Sequence, residues 1–317
     1  MSNQSNNQGR AYEYICLLTM CDEILQYRPA VIEKNSSYYA AHRAWEAITE
    51  ELQNTLKKSA ICAVHTIFDL EPLIIEDGND QLNLFIQPDS QGEEGDPRDI
   101  LVVRRKICWE IGLSIKHNHF AVKHSRLSKS LDFCNRWFGI PCSNQYWSDV
   151  KPIFDYLEQQ KNAKAKWRDL PNKDIDVYKP LLKAFSDEIN RTVLKHPNIP
   201  KKMVEYLFGK FDFYKVISVD SKKITQILSY NLHGTLNRPS VNQSPKISVP
   251  VANLPTRIVS LDFKPGSNNT IELYMDEGWQ FSFRIHNAST VVETSLKFDV
   301  QIIGMPASII TINCQWV

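Results

Sequence analysis

Two residues able to do chemistry stand at the ends of one short stretch. Asp99 directly precedes the apolar run ILVV, and Lys116 closes the run IGLSIK seventeen residues later. If the two runs pair as a hairpin turning near Arg104 to Ile107, position 99 falls opposite 112–114. The carboxylate and the ammonium then meet at one end of the hairpin. A carboxylate that can hold a divalent metal, beside a lysine that can bind or activate a water, suits phosphodiester hydrolysis. The plainer readings are a strand-capping aspartate and a strand-end lysine whose ammonium snorkels into solvent. A lysine that ends an apolar strand is nevertheless awkward unless its charge finds a partner. Asp96, three residues before Asp99, is the competing acid and is expected to lie in the preceding loop.

The elements that must position this pair are fairly legible. Residues 1–8 are polar and expected to be disordered. A helix is predicted from about Gln8 to Tyr27, with Tyr14, Leu17, Leu18, Cys21 and Leu25 on one face. A helical block follows from Ser36 to Asp69, opened by the Asn35-Ser36-Ser37 cap signal and broken near Ser59. LNLFIQ at 82–87 alternates as a strand, and the hairpin supplies two more. Helices are predicted from Ala121 to Trp137 and from Asn144 to Gln160. The polar stretch 161–174, interrupted by Pro171, reads as a linker. Beyond it, Tyr178 to Leu194 and Lys201 to Phe208 read as helices around the breaker HPNIP. TRIVSLDF, TIELYM, WQFSFRI and SLKFDVQIIG then read as antiparallel strands. The expected organisation is α/β: residues 1–160 as a mixed sheet flanked by helices, and 175–317 as a helical and then β-rich region.

Composition sets bounds on partners. The formal net charge is only +1, so no global basic excess advertises nucleic acid. The charge is unevenly spread, however: Asp69 to Asp99 holds ten acids against one base, and Arg104 to Lys129 seven Lys/Arg against one acid. Acids that hold cations beside cations that hold phosphates fit a metal-dependent nuclease. Seven cysteines without a CxxC motif fit a reduced compartment. No apolar run approaches a membrane span, so a soluble cytoplasmic protein with no membrane partner is expected.

The hairpin pattern D…SxK after GDPRD, followed by KHNHFAVKHSRLS, resembles that of the PD-(D/E)xK nucleases. More closely, the chain resembles the HaeIII family of type II restriction endonucleases. GRAYEYICLL, YKPLLKAFSDEINR with YLFGKFDFYK, and GWQFSFRIHNAS with SLKFDV also resemble that family, so the likeness covers most of the chain. It implies a PD-(D/E)xK nuclease core and Mg²⁺-dependent hydrolysis of double-stranded DNA at a short palindromic site, GGCC. A cognate methyltransferase that protects the host site, and a homodimer, are further expectations. Asp99 matches the family's first aspartate, and Lys116 its lysine.

One departure from the superfamily pattern matters. The second acid should stand two residues before the lysine, where this chain has Ser114, a poor metal ligand. Glu110 shares strand parity with Lys116, but lies about 20 Å away along an extended strand unless a bulge near Gly112 intervenes. Glu13, on the first helix, matches a glutamate that the superfamily often places beside the metal, and is preferred. The metal and catalytic set is thus Asp99 and Lys116 with Glu13 or Glu110.

DNA contacts are expected from two places. Lys123 and Arg126, three apart on one face of the predicted helix, could straddle a phosphate. His117, His119 and His124 raise a zinc reading, but no Cys or carboxylate stands at a familiar spacing. In the second half, Arg284, His286, Asn287 and Lys297 lie at strand ends, and Asn231 and Asn237 in the loop NLHGTLN. Arg and Lys suit guanine O6 and N7, and Asn suits adenine. Two rival classes are a repair or junction nuclease of the same superfamily and a catalytically inactive sequence-specific DNA-binding protein.

Overall fold

The computed structural model describes residues 2–76, 78–88, 95–120 and 122–316, without the side chains of 2–5, 123 and 124. Positions 92–94 of the GEEGDPRD segment and Ala121 lie outside that set. The chain forms two compact units, each built from separated stretches of sequence. Unit 1 comprises Met1–Phe120, Gly209–Ala252 and Ala307–Val317; unit 2 comprises Ala121–Phe208 and Asn253–Pro306.

Unit 1 is a seven-stranded mixed sheet with helices. Its helices are α1 (Ser2–Ile24), α2 (Ser36–Glu46) and α3 (Glu50–Leu70). Its strands are β1 (Ala30–Ile32), β2 (Leu82–Ile86), β3 (Ile100–Arg104), β4 (Trp109–His117), β6 (Phe213–Val219), β7 (Ile224–Tyr230) and β12 (Thr311–Gln315), paired in that order. The β1–β2 and β4–β6 pairs are parallel and the rest antiparallel. Alternate residues Ile100, Val102, Ile111, Leu113 and Ile115 join Tyr214, Val216 and Ile227 in a core shared with Leu17, Met20, Leu56 and Ile67 of the helices. Leaving that face out of water, at roughly 1.5–3 kcal/mol for each large side chain, is what fixes the strand register.

Unit 2 is a five-stranded antiparallel sheet on helices. Its strands are β5 (Lys123–Ser128), β8 (Ile258–Phe263), β9 (Thr270–Met275), β10 (Gln280–His286) and β11 (Ser295–Gly304), in the order β5-β11-β10-β9-β8. Its helices are α4 (Phe133–Phe138), α5 (Asn144–Asn162), α6 (Lys179–Lys195) and α7 (Ile199–Phe208). Phe283 and Phe298 pack on Phe185 of α6, with ring centroids 5.9 and 5.0 Å away, and close the apolar side of the sheet.

Several expectations need correction. The helix predicted from Ala121 to Trp137 is instead β5, a turn and the short α4, because β5 pairs along its length with the distant β11. Lys123 and Arg126 therefore do not share a helical face; three residues apart on a strand, they fall on opposite faces. The first helix begins at Ser2 rather than near Gln8. The long helical block breaks at Ala47–Thr49, where Thr49 caps α3. Ser59 lies inside α3, buried and hydrogen bonded to Tyr12 and Thr225. Residues 161–174 do not separate the units. Trp167 there is buried, its backbone N–H donates to the Thr290 carbonyl, and Lys166 bridges to Val291. The β-rich second half is itself divided, since β6, β7 and β12 complete the first sheet.

Candidate active site

The β3–β4 hairpin forms at the predicted register. Ile100 pairs with Leu113, the Asp99 N–H donates to the Leu113 carbonyl at 2.8 Å, and residues 105–107 make the turn. This places Asp99 and Lys116 together at the end of the hairpin away from the turn. Lys116 Nζ donates to Asp99 Oδ2 at 2.8 Å. The Ile115 N–H and the Ser114 hydroxyl donate to the same oxygen at 2.6 and 3.3 Å. Among the described residues, no donor reaches Oδ1. Ser114 thus stands where a second carboxylate would repel Asp99, and it donates a hydrogen bond instead.

Burial pulls the Lys116 pKa down, but the charge and hydrogen bond of Asp99, with the charge of Glu13, outweigh it and raise the pKa. Glu13 on α1 is therefore close enough to act electrostatically on Lys116. Glu110 is placed elsewhere. It faces Val103 near the turn and accepts from Arg98 Nη1 at 2.7 Å. The buried Arg98 also donates from Nε and Nη2 to Asp96, each at 2.8 Å, and stacks 4.0 Å from the Phe211 ring centroid. Its side chain lies over Gly112, where a Cβ would come within 2.0 Å of Arg98 Cδ. The glycine is thus a bed for an arginine, and regular β3–β4 pairing continues through it. Asp96, the competing acid, is held in that same ion pair.

Lys215 on β6 is a residue that sequence reasoning missed. It pairs in register with Ser114, is 6 % exposed, and donates to the Phe120 carbonyl at 3.1 Å. Burial first, and then the charge of Lys116, lower its pKa to about 8 against the opposing pull of Asp99. The available signal was a lysine inside the apolar run FYKVISV. His117 is fixed by Asp220, Nε2 to Oδ2 at 2.7 Å, in a cluster completed by Asn118 and Ser218. Elsewhere, Cys134, Cys142 and Glu188 of unit 2 converge as potential metal ligands, but Glu188 already accepts from the backbone and hydroxyl of Ser143, the cap of α5.

The expected DNA-binding residues fall into two groups. Arg126, Lys297 and His286 pair side by side across β5, β11 and β10, and Arg284 lies two residues before His286. All four are on the face opposite Leu296, Phe298, Phe283 and Ile285, which are buried. Arg284 is solvent exposed and meets Asp299 loosely, at 3.4 Å. Asn287, just beyond β10, accepts from the Tyr178 hydroxyl and donates to Ser289. Lys123 lies on β5 by its backbone; its side chain is outside the described set. Asn231 and Asn237 do not join this face. Buried Asn231 spans Val249 and Leu236, and Asn237 donates to Leu70 and Ile247 while accepting from Val249. Both hold the 231–252 loop of unit 1 in place.

The hairpin brings an aspartate and a lysine together, and comparison with known proteins narrows the chemistry they could serve. The family model for the HaeIII restriction endonuclease matches residues 9–306. The chain belongs to the HaeIII restriction endonuclease family. It is also similar to the type II restriction enzyme HaeIII of Haemophilus aegyptius, 55% identical over 317 residues that cover 100% of this chain and 99% of that protein. No solved structure matches the chain. As a member of this family the protein is a type II restriction endonuclease, a site-specific deoxyribonuclease acting on double-stranded DNA. Enzymes of this type generally use a divalent metal. Among the described residues, no helix is long and apolar enough to cross a membrane.

Proposed function

We propose that unit 1 is a PD-(D/E)xK-type nuclease core that cuts GGCC in a Mg²⁺-dependent reaction, with Asp99, Glu13 and Lys116 at its centre. The observation that carries this reading is the crowding of three donors onto Asp99 Oδ2, while no described donor reaches Oδ1. One carboxylate oxygen is thereby oriented by the protein and the other remains for a hard cation, which takes oxygen ligands. Glu13, whose charge acts at Lys116, supplies the second carboxylate in place of Ser114; Glu110 is committed to Arg98. Mg²⁺ held by these two acids would polarise the scissile phosphate.

The chain's own residues do the rest. The raised pKa of Lys116 keeps it an ammonium near neutral pH, so it acts as a charge and a donor rather than as a proton acceptor. It holds the attacking water by hydrogen bonding and stabilises negative charge as that water loses its proton. In-line attack leaves 5′-phosphate and 3′-hydroxyl ends. Unit 2 supplies recognition: Arg284 and Lys297 read guanines, His286 and Asn287 assist, and Arg126 holds a phosphate. A palindromic site pairs naturally with a two-fold homodimer. A cytoplasmic enzyme of this kind requires a methyltransferase that protects the host's own sites.

A plasmid digest tests the reading. A discrete ladder in Mg²⁺, with fragments ending at GGCC and none formed in EDTA, is expected. A smear would make the enzyme a non-specific nuclease, and cutting in EDTA would remove the metal from the account.

A further inference from the structure

We propose that Lys215 is a second lysine of the active site, whose charge acts on the reacting phosphate together with that of Lys116. The proposal rests on the active-site reading above. Its basis is the row made by three adjacent strands. Asp99 opens β3, Ser114 donates to it from β4, and Lys215 is the register partner of Ser114 on β6. Residues in register on neighbouring strands project to the same face. The ammonium of Lys215 is thus held in the neighbourhood where Asp99 and Lys116 converge, and both of their charges act on it.

Stability alone gives a poor account of this residue. Lys215 is almost wholly buried among the apolar residues of β6, and a like charge stands nearby. Removing an ammonium from water costs free energy, which the hydrogen bond to Phe120 and the charge of Asp99 offset only in part. Arrangements that cost stability are characteristic of functional sites. During cleavage the water oxygen bonds to phosphorus, its proton passes to solvent, and the P–O3′ bond breaks as the 3′-oxygen takes up a proton. Negative charge builds on the non-bridging oxygens at the midpoint of this exchange. A fixed ammonium in a site shielded from water stabilises that charge more strongly than the same group in solvent. Its hydrogen bond to the Phe120 carbonyl holds it in place.

The test compares Lys215→Met, Lys215→Arg and Lys116→Ala in the full chain. The readouts are single-turnover cleavage in Mg²⁺, binding of a GGCC duplex without metal, and thermal melting. Lys215→Met is expected to melt no lower than wild type and to bind within about fivefold, yet to cleave roughly 100-fold or more slowly. Lys215→Arg, which keeps the charge, should recover at least about tenfold of that loss. The proposal is overturned if Lys215→Met cuts at the wild-type rate while Lys116→Ala does not; the active-site reading then stands without Lys215. It is equally overturned if both Lys215 variants melt lower and lose activity in parallel, which makes the residue a structural one. If Lys116→Ala also cuts normally, the active-site reading itself fails.

Discussion

Asp99 and Glu110 show how two carboxylates on one hairpin come to different uses. Both stand beside a cation, but Asp99 keeps an oxygen without a described donor, and Glu110 closes the ion pair of a buried arginine. In the proposed site Glu13 joins Asp99, and its charge acts on Lys116. Glu13→Gln should therefore slow cleavage by about 100-fold or more, whereas Glu110→Gln should remain within about tenfold of wild type. Single-turnover rates on one GGCC duplex measure both. The reverse ranking would mean that a rearranged β4 carries Glu110 to the metal. Lys116→Ala belongs to the same scale, with an expected loss of about 10²–10³-fold from missing charge stabilisation.

Among the elements, the end of β3 is tied to the loop between α1 and β1 through Asp80. Asp80 meets two fully buried guanidinium groups, with Arg28 Nη2 and Arg104 Nη2 at 2.6 and 2.5 Å from Oδ1. Arg104 also donates to the Leu73 and Glu76 carbonyls. The hydrogen bond from Arg104, opposed by burial and helped by the charges of both arginines, holds the Asp80 pKa below its ordinary value. A depressed carboxylate stabilises the fold above its unfolded pKa of about 3.9, and that contribution is lost as pH falls through the lower native value. Asp80→Asn should cost about 1.5–3 kcal/mol at neutral pH, since it removes a charged hydrogen-bond acceptor shared by two buried guanidinium groups. Urea titrations at pH 7 and pH 3 check this: the difference between wild type and variant should shrink at the lower pH. An equal difference at both would assign the effect to packing.

The hairpin was legible because its signal is local: two apolar runs, a turn, and a charged residue at each end. β5 was misread for the opposite reason. In KHSRLS only Leu127 is strongly apolar, and what makes the segment a strand is pairing with β11, about 170 residues later in the chain. Sequence patterning marked β8, β9, β10 and β11 as strands but did not single out β6, β7 or β12, and it carries no information on which sheet a strand joins. Lys215 was invisible as a site residue for the same reason, since its place beside Ser114 depends on the parallel β4–β6 pairing.

For the whole molecule, the sequence split at 161–174 gives way to two interleaved units, so the chain leaves the first sheet after β4 and returns to it at β6. One face of the second sheet is closed by aromatic packing, and the other carries Arg126, Lys297, His286 and Arg284. If Arg284 or Lys297 reads guanine, replacing it by Ala should cost about 1–3 kcal/mol of specific binding and relax base preference. Arg126→Ala, as a phosphate contact, should weaken all sequences alike and reduce the salt slope by about one. Competition between GGCC and scrambled duplexes at two salt concentrations separates these effects. Unchanged specificity ratios in both Arg284→Ala and Lys297→Ala would move the reading surface elsewhere.

The measurement that bears most directly on the central claim is single-turnover cleavage by Asp99→Asn, with duplex binding followed in the same preparation. The substitution preserves shape and removes the charge that orients Lys116 and would hold the cation. The account predicts a folded protein that binds a GGCC duplex nearly as well as wild type and leaves it uncut in Mg²⁺. Near-normal turnover by that variant would contradict the assignment of the β3–β4 hairpin as the catalytic centre.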